Sequence, residues 1–216
     1  GHAISTSCDD KTEILRKSDS SCGQINNVLC YFNRRDPVTK LALLKLYCSS
    51  FYGSVLWDLT NPSVNTFCAF WREDLRRVWD LTYNCNSALL PPLCGLLPIM
   101  DELCSRTAAF ITNCLTIDCD IVSFIARHGV FHTRMHSPIG RNAFFCCRRY
   151  SIRLSDIGLL NKQFVQTCAL TNLPRAVFNT AMLLIELLFI ESNSFILTDW
   201  THTEISNFIQ LLTRTD

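Results

Sequence analysis

Glycine and proline are scarce, with seven of each among 216 residues, and charged side chains make up only 18% of the chain. Collagen-like and linker-rich classes are thereby excluded, and with 48% hydrophobic residues an intrinsically disordered chain is excluded too. Charge of one sign is also lacking. Twenty Lys and Arg stand against 19 Asp and Glu, a formal net charge of +1, so the molecule as a whole carries no strong field toward nucleic acid or a membrane. Any polyanion site must be local. Long apolar runs are missing as well: the longest, Ala181 to Ile190, is interrupted by Glu186 and falls short of the roughly 18 residues a membrane span needs. It reads as a core helix, and no membrane partner is expected. The N-terminus lacks a basic flank followed by an apolar run, so the 13 cysteines, an odd number, read as free thiols. They point to an intracellular, reducing compartment, nucleus or cytoplasm, and not to a secreted chain. A Gly-rich phosphate loop, GxSxG, HExxH and CxxC are all absent from the sequence.

What is present is helical periodicity. Asp10 and Glu13 have capping-box spacing ahead of Ile14, Leu15, Cys22, Ile25, Val28, Leu29 and Phe32, which predicts a helix within 9–33. Pro37 opens a second pattern with Leu41, Leu44, Tyr47, Cys48 and Phe51 on one face. After Asn61-Pro62-Ser63, Phe67, Phe70, Trp71, Leu75, Val78 and Trp79 form a stripe opposite Arg72, Glu73, Asp74, Arg76 and Arg77, a self-paired solvated face. Leu89-Leu90-Pro91-Pro92 is expected not to continue a helix, and a long helix follows Pro98 through Leu115. A shorter helix is expected from Asp120 to Arg127. Gly129, Pro138 and Gly140 are expected to break regularity before a helix over 142–150, and further helical patterns lie near 159–170, 174–191 and 202–213. The fold class is therefore an all-α helical array. A compositional change near Gly158, beyond which three basic residues (Lys162, Arg175, Arg214) meet five acidic ones, divides the chain into 1–157 and a helical tail, 158–216, of open role.

Three groups of residues could carry chemistry. Asp9-Asp10 has the composition of a metal-binding carboxylate pair, but Ser5, Thr6 and Ser7 precede it and a helix follows, so helix capping is the better reading. His128, His132 and His136, with Cys146 and Cys147 beyond, have zinc-compatible chemistry, and a spacing of four stacks imidazoles on a helix face. Without CxxC spacing, no metal site is assigned. The strongest local anomaly is 127–153, where Arg127, Arg134, Arg141, Arg148, Arg149 and Arg153 occur without one acidic residue. Guanidinium groups favour bidentate phosphate contacts, so Arg134, Arg141, Arg148 and Arg149 are the candidate nucleic-acid-binding residues. An all-helical protein–protein interaction module, with these arginines facing an acidic protein surface, is the alternative.

Several stretches carry a family resemblance: Gly1-His2-Ala3-Ile4-Ser5 ahead of Asp9-Asp10-Lys11; Tyr52-Gly53 with Trp57; Trp71-Arg72 with Arg76-Arg77-Val78-Trp79; Leu97-Pro98-Ile99; and Ser137-Pro138-Ile139-Gly140-Arg141-Asn142. In this order and spacing, over residues 1 to about 157, the chain resembles the region after the palm of a non-LTR (LINE-type) retrotransposon reverse transcriptase. The resemblance implies an RNA-directed DNA polymerase fragment: a short N-terminal strand remnant of the primer grip including Gly1 and His2, then a helical thumb and the start of a C-terminal region. It places the palm carboxylates upstream of Gly1, so this piece of a longer polypeptide is expected not to polymerise alone. No cofactor is expected in the chain itself, Mg²⁺ serving only the complete polymerase. The implied partners are RNA template, DNA primer and the rest of the polymerase. Where such families read Leu-Pro and then Thr-His, this sequence has Leu81-Thr82 and Asn84-Cys85-Asn86, which implies a diverged copy.

Overall fold

Helix starts in this chain are written by capping side chains. Asp36 accepts the N–H of Thr39 at 2.8 Å and its hydroxyl at 2.6 Å, and Pro37 occupies the first helical position, where its missing donor costs nothing. Ser137 and Pro138 repeat the device a hundred residues on, with Ser137 Oγ accepting from Gly140 N at 3.0 Å. The structure, a computed structural model, describes residues 10–49, 51–83, 87 and 90–171. Within them lie α1 (Lys11–Tyr31), α2 (Pro37–Tyr47), α3 (Pro62–Val78), α4 (Leu90–Leu93), α5 (Ile99–Thr116), α6 (Asp120–Arg127), α7 (Pro138–Arg149) and α8 (Lys162–Thr171), joined by short 3-10 turns. The described residues contain no strand, and the array is all-α as the periodicity predicts. Gly1, His2, the strand remnant expected there, and the helices expected near 174–191 and 202–213 lie outside the described residues. Among those described, no helix is long and apolar enough to cross a membrane.

No helix continues through Pro91 and Pro92, as expected: α3 ends at Val78, and the two prolines sit in the first turn of the one-turn helix α4, where donors have no intrahelical partner anyway. The α-helical run breaks at Gly129 as expected, but Pro138 and Gly140, expected to lie in the break, belong to the following helix. A π-turn (His128–His132) and a 3-10 turn (Arg134–His136) lead into α7, which begins at Pro138 and contains Gly140.

The described residues divide into two packing units. The first gathers 10–16, 51–67 and 99–169. Its centre is α5, which packs against α6, α7 and the turns Ser54–Leu56 and Leu154–Leu159. Leu103, Cys104, Ala108 and Ile111 of α5 are buried with Trp57, Leu59, Val64, Ala143, Cys146 and Val165. Fully burying a Leu or Ile contributes about 1.5–3 kcal/mol, so this spine dominates the unit's stability. The compositional change at Gly158 falls inside the turn Leu154–Leu159, whose Ile157 is buried in the same unit.

The second unit gathers 17–49, 68–83, 87, 90–98 and 170–171. Ile25, Val28, Leu41, Leu44, Trp71, Leu75, Val78 and Trp79 are buried in it, which matches the predicted stripes, whereas Phe70 and Tyr47 are exposed. Trp79 Nε1 donates to Cys94 Sγ at 3.1 Å, and Lys45 Nζ to the Cys94 carbonyl at 3.1 Å. The charged face of α3 is self-paired as expected, but it is not wholly solvated, since Asp74 is buried: Arg76 bonds Glu73, and Arg77 bonds Asp74 at 3.1 Å as well as Asn26 at 2.6 Å.

Candidate nucleic-acid interface

The candidate arginines lie on one continuous run of the first unit, from the π-turn to the end of α7, and the local fold decides which of them face outward. Backbone contact at the start of α7 is extremely close. A Cβ on Gly140 would stand 2.0 Å from the Arg134 carbonyl oxygen and 2.5 Å from that of Gly129, so only glycine fits. Ser137 Oγ locks the crossing by donating to the Gly129 carbonyl at 2.6 Å. Arg134 adopts a left-handed conformation there (φ 42°), and its exposed guanidinium donates to the Phe131 carbonyl at 3.2 Å and pairs with no carboxylate among the described residues.

Arg141 is held differently. Its Nε donates to Asp58 Oδ2 at 2.9 Å. Partial burial pushes the Asp58 carboxyl up, but hydrogen bonds from Thr60 and the charge of Arg141 outweigh that and hold it below the usual carboxylate range. Next along α7, buried Asn142 accepts from Leu59 N at 2.9 Å and donates to the Trp57 carbonyl at 2.7 Å. Asp58 N in turn donates to Asp10 Oδ2 at 2.6 Å. Ser137–Asn142 and Trp57, two of the stretches that carry the family resemblance, thus meet in one clamp that fixes the 57–60 loop to α7 and to the start of α1.

Arg149 is also committed. Its Nε donates to Asp101 Oδ1 at 2.7 Å, the oxygen that also accepts from Tyr150 OH at 2.6 Å. Partial burial disfavours its charge, yet Asp101 more than compensates and raises its pKa; burial and the hydrogen bond to Asp101 push the Tyr150 phenol up. Arg148, one position earlier, is exposed, and its side chain makes no hydrogen bond or ion pair among the described residues. At the end of the run, Arg153 pairs with Asp156 at 3.0 Å. Of the four candidates, then, Arg134 and Arg148 present guanidinium groups free of carboxylates among the described residues, while Arg141 and Arg149 are tied to the unit's own acids.

His128 and His132 stack, with ring centroids 5.4 Å apart and planes 27° from parallel, and Phe124 stacks on His128 at 6.3 Å. The imidazoles lie face to face and do not converge on a point. Among the described residues no three His, Cys, Asp or Glu side chains are grouped to hold a metal ion. Asp58, Asp101 and Asn142 were not among the sequence candidates, because each meets its partner from more than forty positions away. Phe124 could have been found: it stands four residues before His128, on the spacing that stacks rings along a helix.

Comparison with known protein families, with curated proteins and with solved structures finds no match to the chain.

Proposed function

We propose that the chain grips nucleic acid through phosphates as the thumb-like part of an RNA-directed DNA polymerase of non-LTR retrotransposon type, positioning RNA template and DNA primer without catalysing their extension. The observation that carries the reading is the outward pair Arg134 and Arg148, set in a stretch from 121 to 155 that contains no acidic residue. Phosphate contacts of this kind fix the position of a duplex and read no sequence. The clamp around Asn142 and the Asp101 cluster supply what such a grip requires, a rigid base under exposed cations. The family resemblance supplies the polymerase context.

The test is binding of a primed RNA template, followed by fluorescence anisotropy over a series of salt concentrations. Each phosphate contact contributes a slope of ~0.9 in log affinity against log salt for B-DNA, so Arg134→Gln with Arg148→Gln should remove ~1.8, with similar behaviour on a hybrid duplex. Arg76→Gln with Arg77→Gln should leave the slope unchanged, since both side chains are occupied by Glu73 and Asp74. Equal losses from the two pairs, or a flat salt response of the parent, would refute the reading.

A further inference from the structure

Helix α6 is inverted with respect to its own unit. Its small side chains point inward: Ala126 is buried, and Ser123 Oγ lies 3.4 Å from the Leu115 carbonyl. Its large apolar side chains point out, with Ile121 72% exposed, Phe124 70% and Ile125 63%. Positions 121, 124, 125 and 128 are spaced three and four apart, so these residues and His128, stacked on Phe124, form one stripe. Ile117, just before the helix, and Phe131, just after it, are exposed too. A continuous apolar stripe on a helix is a surface built to be covered.

The charges bordering the stripe indicate what covers it. Asp120 at the start of α6 is exposed and forms no ion pair among the described residues; Arg127 at the end is exposed, and among the described residues its side chain bonds only Ser123 Oγ, at 3.2 Å. They are about two turns apart and so lie on the same flank of the stripe, roughly 10 Å from each other along the axis. The midpoint between them falls between Ser123 and Phe124, which is also the centre of Ile121, Phe124 and Ile125. A twofold axis through that point reverses the helix direction and keeps the flank on the same side. Asp120 of each copy then faces Arg127 of the other, the two stripes meet, and the helix dipoles run antiparallel. The face is complementary to itself in shape of pattern and in charge.

We propose that α6 is a homodimer interface, in which a second copy of this chain packs antiparallel on the Ile121–Phe124–Ile125 stripe and is registered by two symmetric Asp120–Arg127 pairs. The surface is short compared with that of permanent dimers, so association is reversible and concentration-dependent. This interface uses neither Arg134 nor Arg148 and stands independently of the nucleic-acid reading.

Sedimentation velocity and light scattering on the full chain, from micromolar to submillimolar concentration, test it. A monomer–dimer equilibrium is expected. Ile121→Ser, Phe124→Ser and Ile125→Ser together should leave only monomer. Asp120→Arg alone and Arg127→Asp alone should each raise the dissociation constant roughly tenfold, whereas the two combined should restore it to within about threefold of the parent. Restoration by the charge swap is a result that misfolding of a single variant cannot imitate. A parent that stays monomeric throughout, a dimer that survives the triple serine change, or a double reversal no better than its singles would overturn the proposal. In the first case the stripe would belong to a different partner.

Discussion

Replacing Gly140 with alanine should be among the most damaging single-methyl changes this chain can suffer, although alanine is the better helix former. The added Cβ would lie 2.0 Å from the Arg134 oxygen, 2.5 Å from the Gly129 oxygen and 2.7 Å from the Arg134 carbonyl carbon, all of them backbone atoms that no rotamer change can move. Ordinary contact requires α7 to withdraw by about 1 Å or more. That withdrawal stretches the 2.6 Å bond from Ser137 Oγ to the Gly129 carbonyl and the 3.0 Å cap from Gly140 N to Ser137 Oγ. Each is worth about 1 kcal/mol. Overpacking adds about 1–3 kcal/mol, against a helix-propensity gain of about 0.5–1 kcal/mol, so the net cost should be about 2–4 kcal/mol. Gly23, inside α1, has nothing within 4 Å of its added Cβ, and Gly23→Ala should stabilise by about 0.5–1 kcal/mol. Urea unfolding followed by far-UV circular dichroism compares the two midpoints. Opposite signs are required; a Gly140→Ala midpoint equal to or above the parent's would refute the close backbone crossing as the reason for glycine.

Other consequences can be checked separately. The lowered Asp58 carboxyl contributes stability that is complete above the ordinary carboxylate range and is lost as pH falls through its depressed value; Asp58→Asn should therefore flatten the acid limb of a stability–pH profile, and an unchanged limb would show the Arg141 pair to be inert. Burial pushes the Cys94 thiol up to about 11, and burial together with Asp74 does the same to Cys48. Ellman's reagent at neutral pH should accordingly modify exposed Cys30 and Cys119 first and reach Cys94 and Cys146 only on unfolding, and equal rates would contradict the packing of the two cores.

Much of this fold is legible in the sequence because its signals are local. Asp36-Pro37 starts α2 through contacts three residues long, and α6 spans Asp120 to Arg127 as its spacing predicts. The difference at α7 is instructive for the same reason. Pro138 reads as a breaker in the sequence but occupies the first turn of α7, and residue type alone does not say which position a proline will take. Gly129 and Gly140 look like punctuation, yet they are the sites where two backbone segments touch, a fact fixed by tertiary approach and invisible to periodicity. The outward stripe of α6 was equally hidden. Period alone reports that a helix has an apolar face; it does not report which way that face is turned.

Charge shows the same limit more sharply, and it bears on function. Counted along the chain, residues 127–153 are a block of six arginines with no acid. In the folded unit Asp58 and Asp101 arrive from 83 and 48 positions away to pair with Arg141 and Arg149, and Asp156 takes Arg153. Half of the block is thereby neutralised from outside itself. Those pairs also do structural work, since Arg141 holds the loop that Asn142 clamps and Arg149 shares its carboxylate with Tyr150. Substituting them would therefore weaken the proposed nucleic-acid binding by disturbing the scaffold, even with no phosphate in contact. Arg134 and Arg148, exposed and unpaired with any carboxylate of the described residues, can lose their charge without that side effect. A change in salt slope, which counts released ions, separates the two causes: a scaffold defect lowers affinity at every salt concentration alike, while a lost phosphate contact changes the slope.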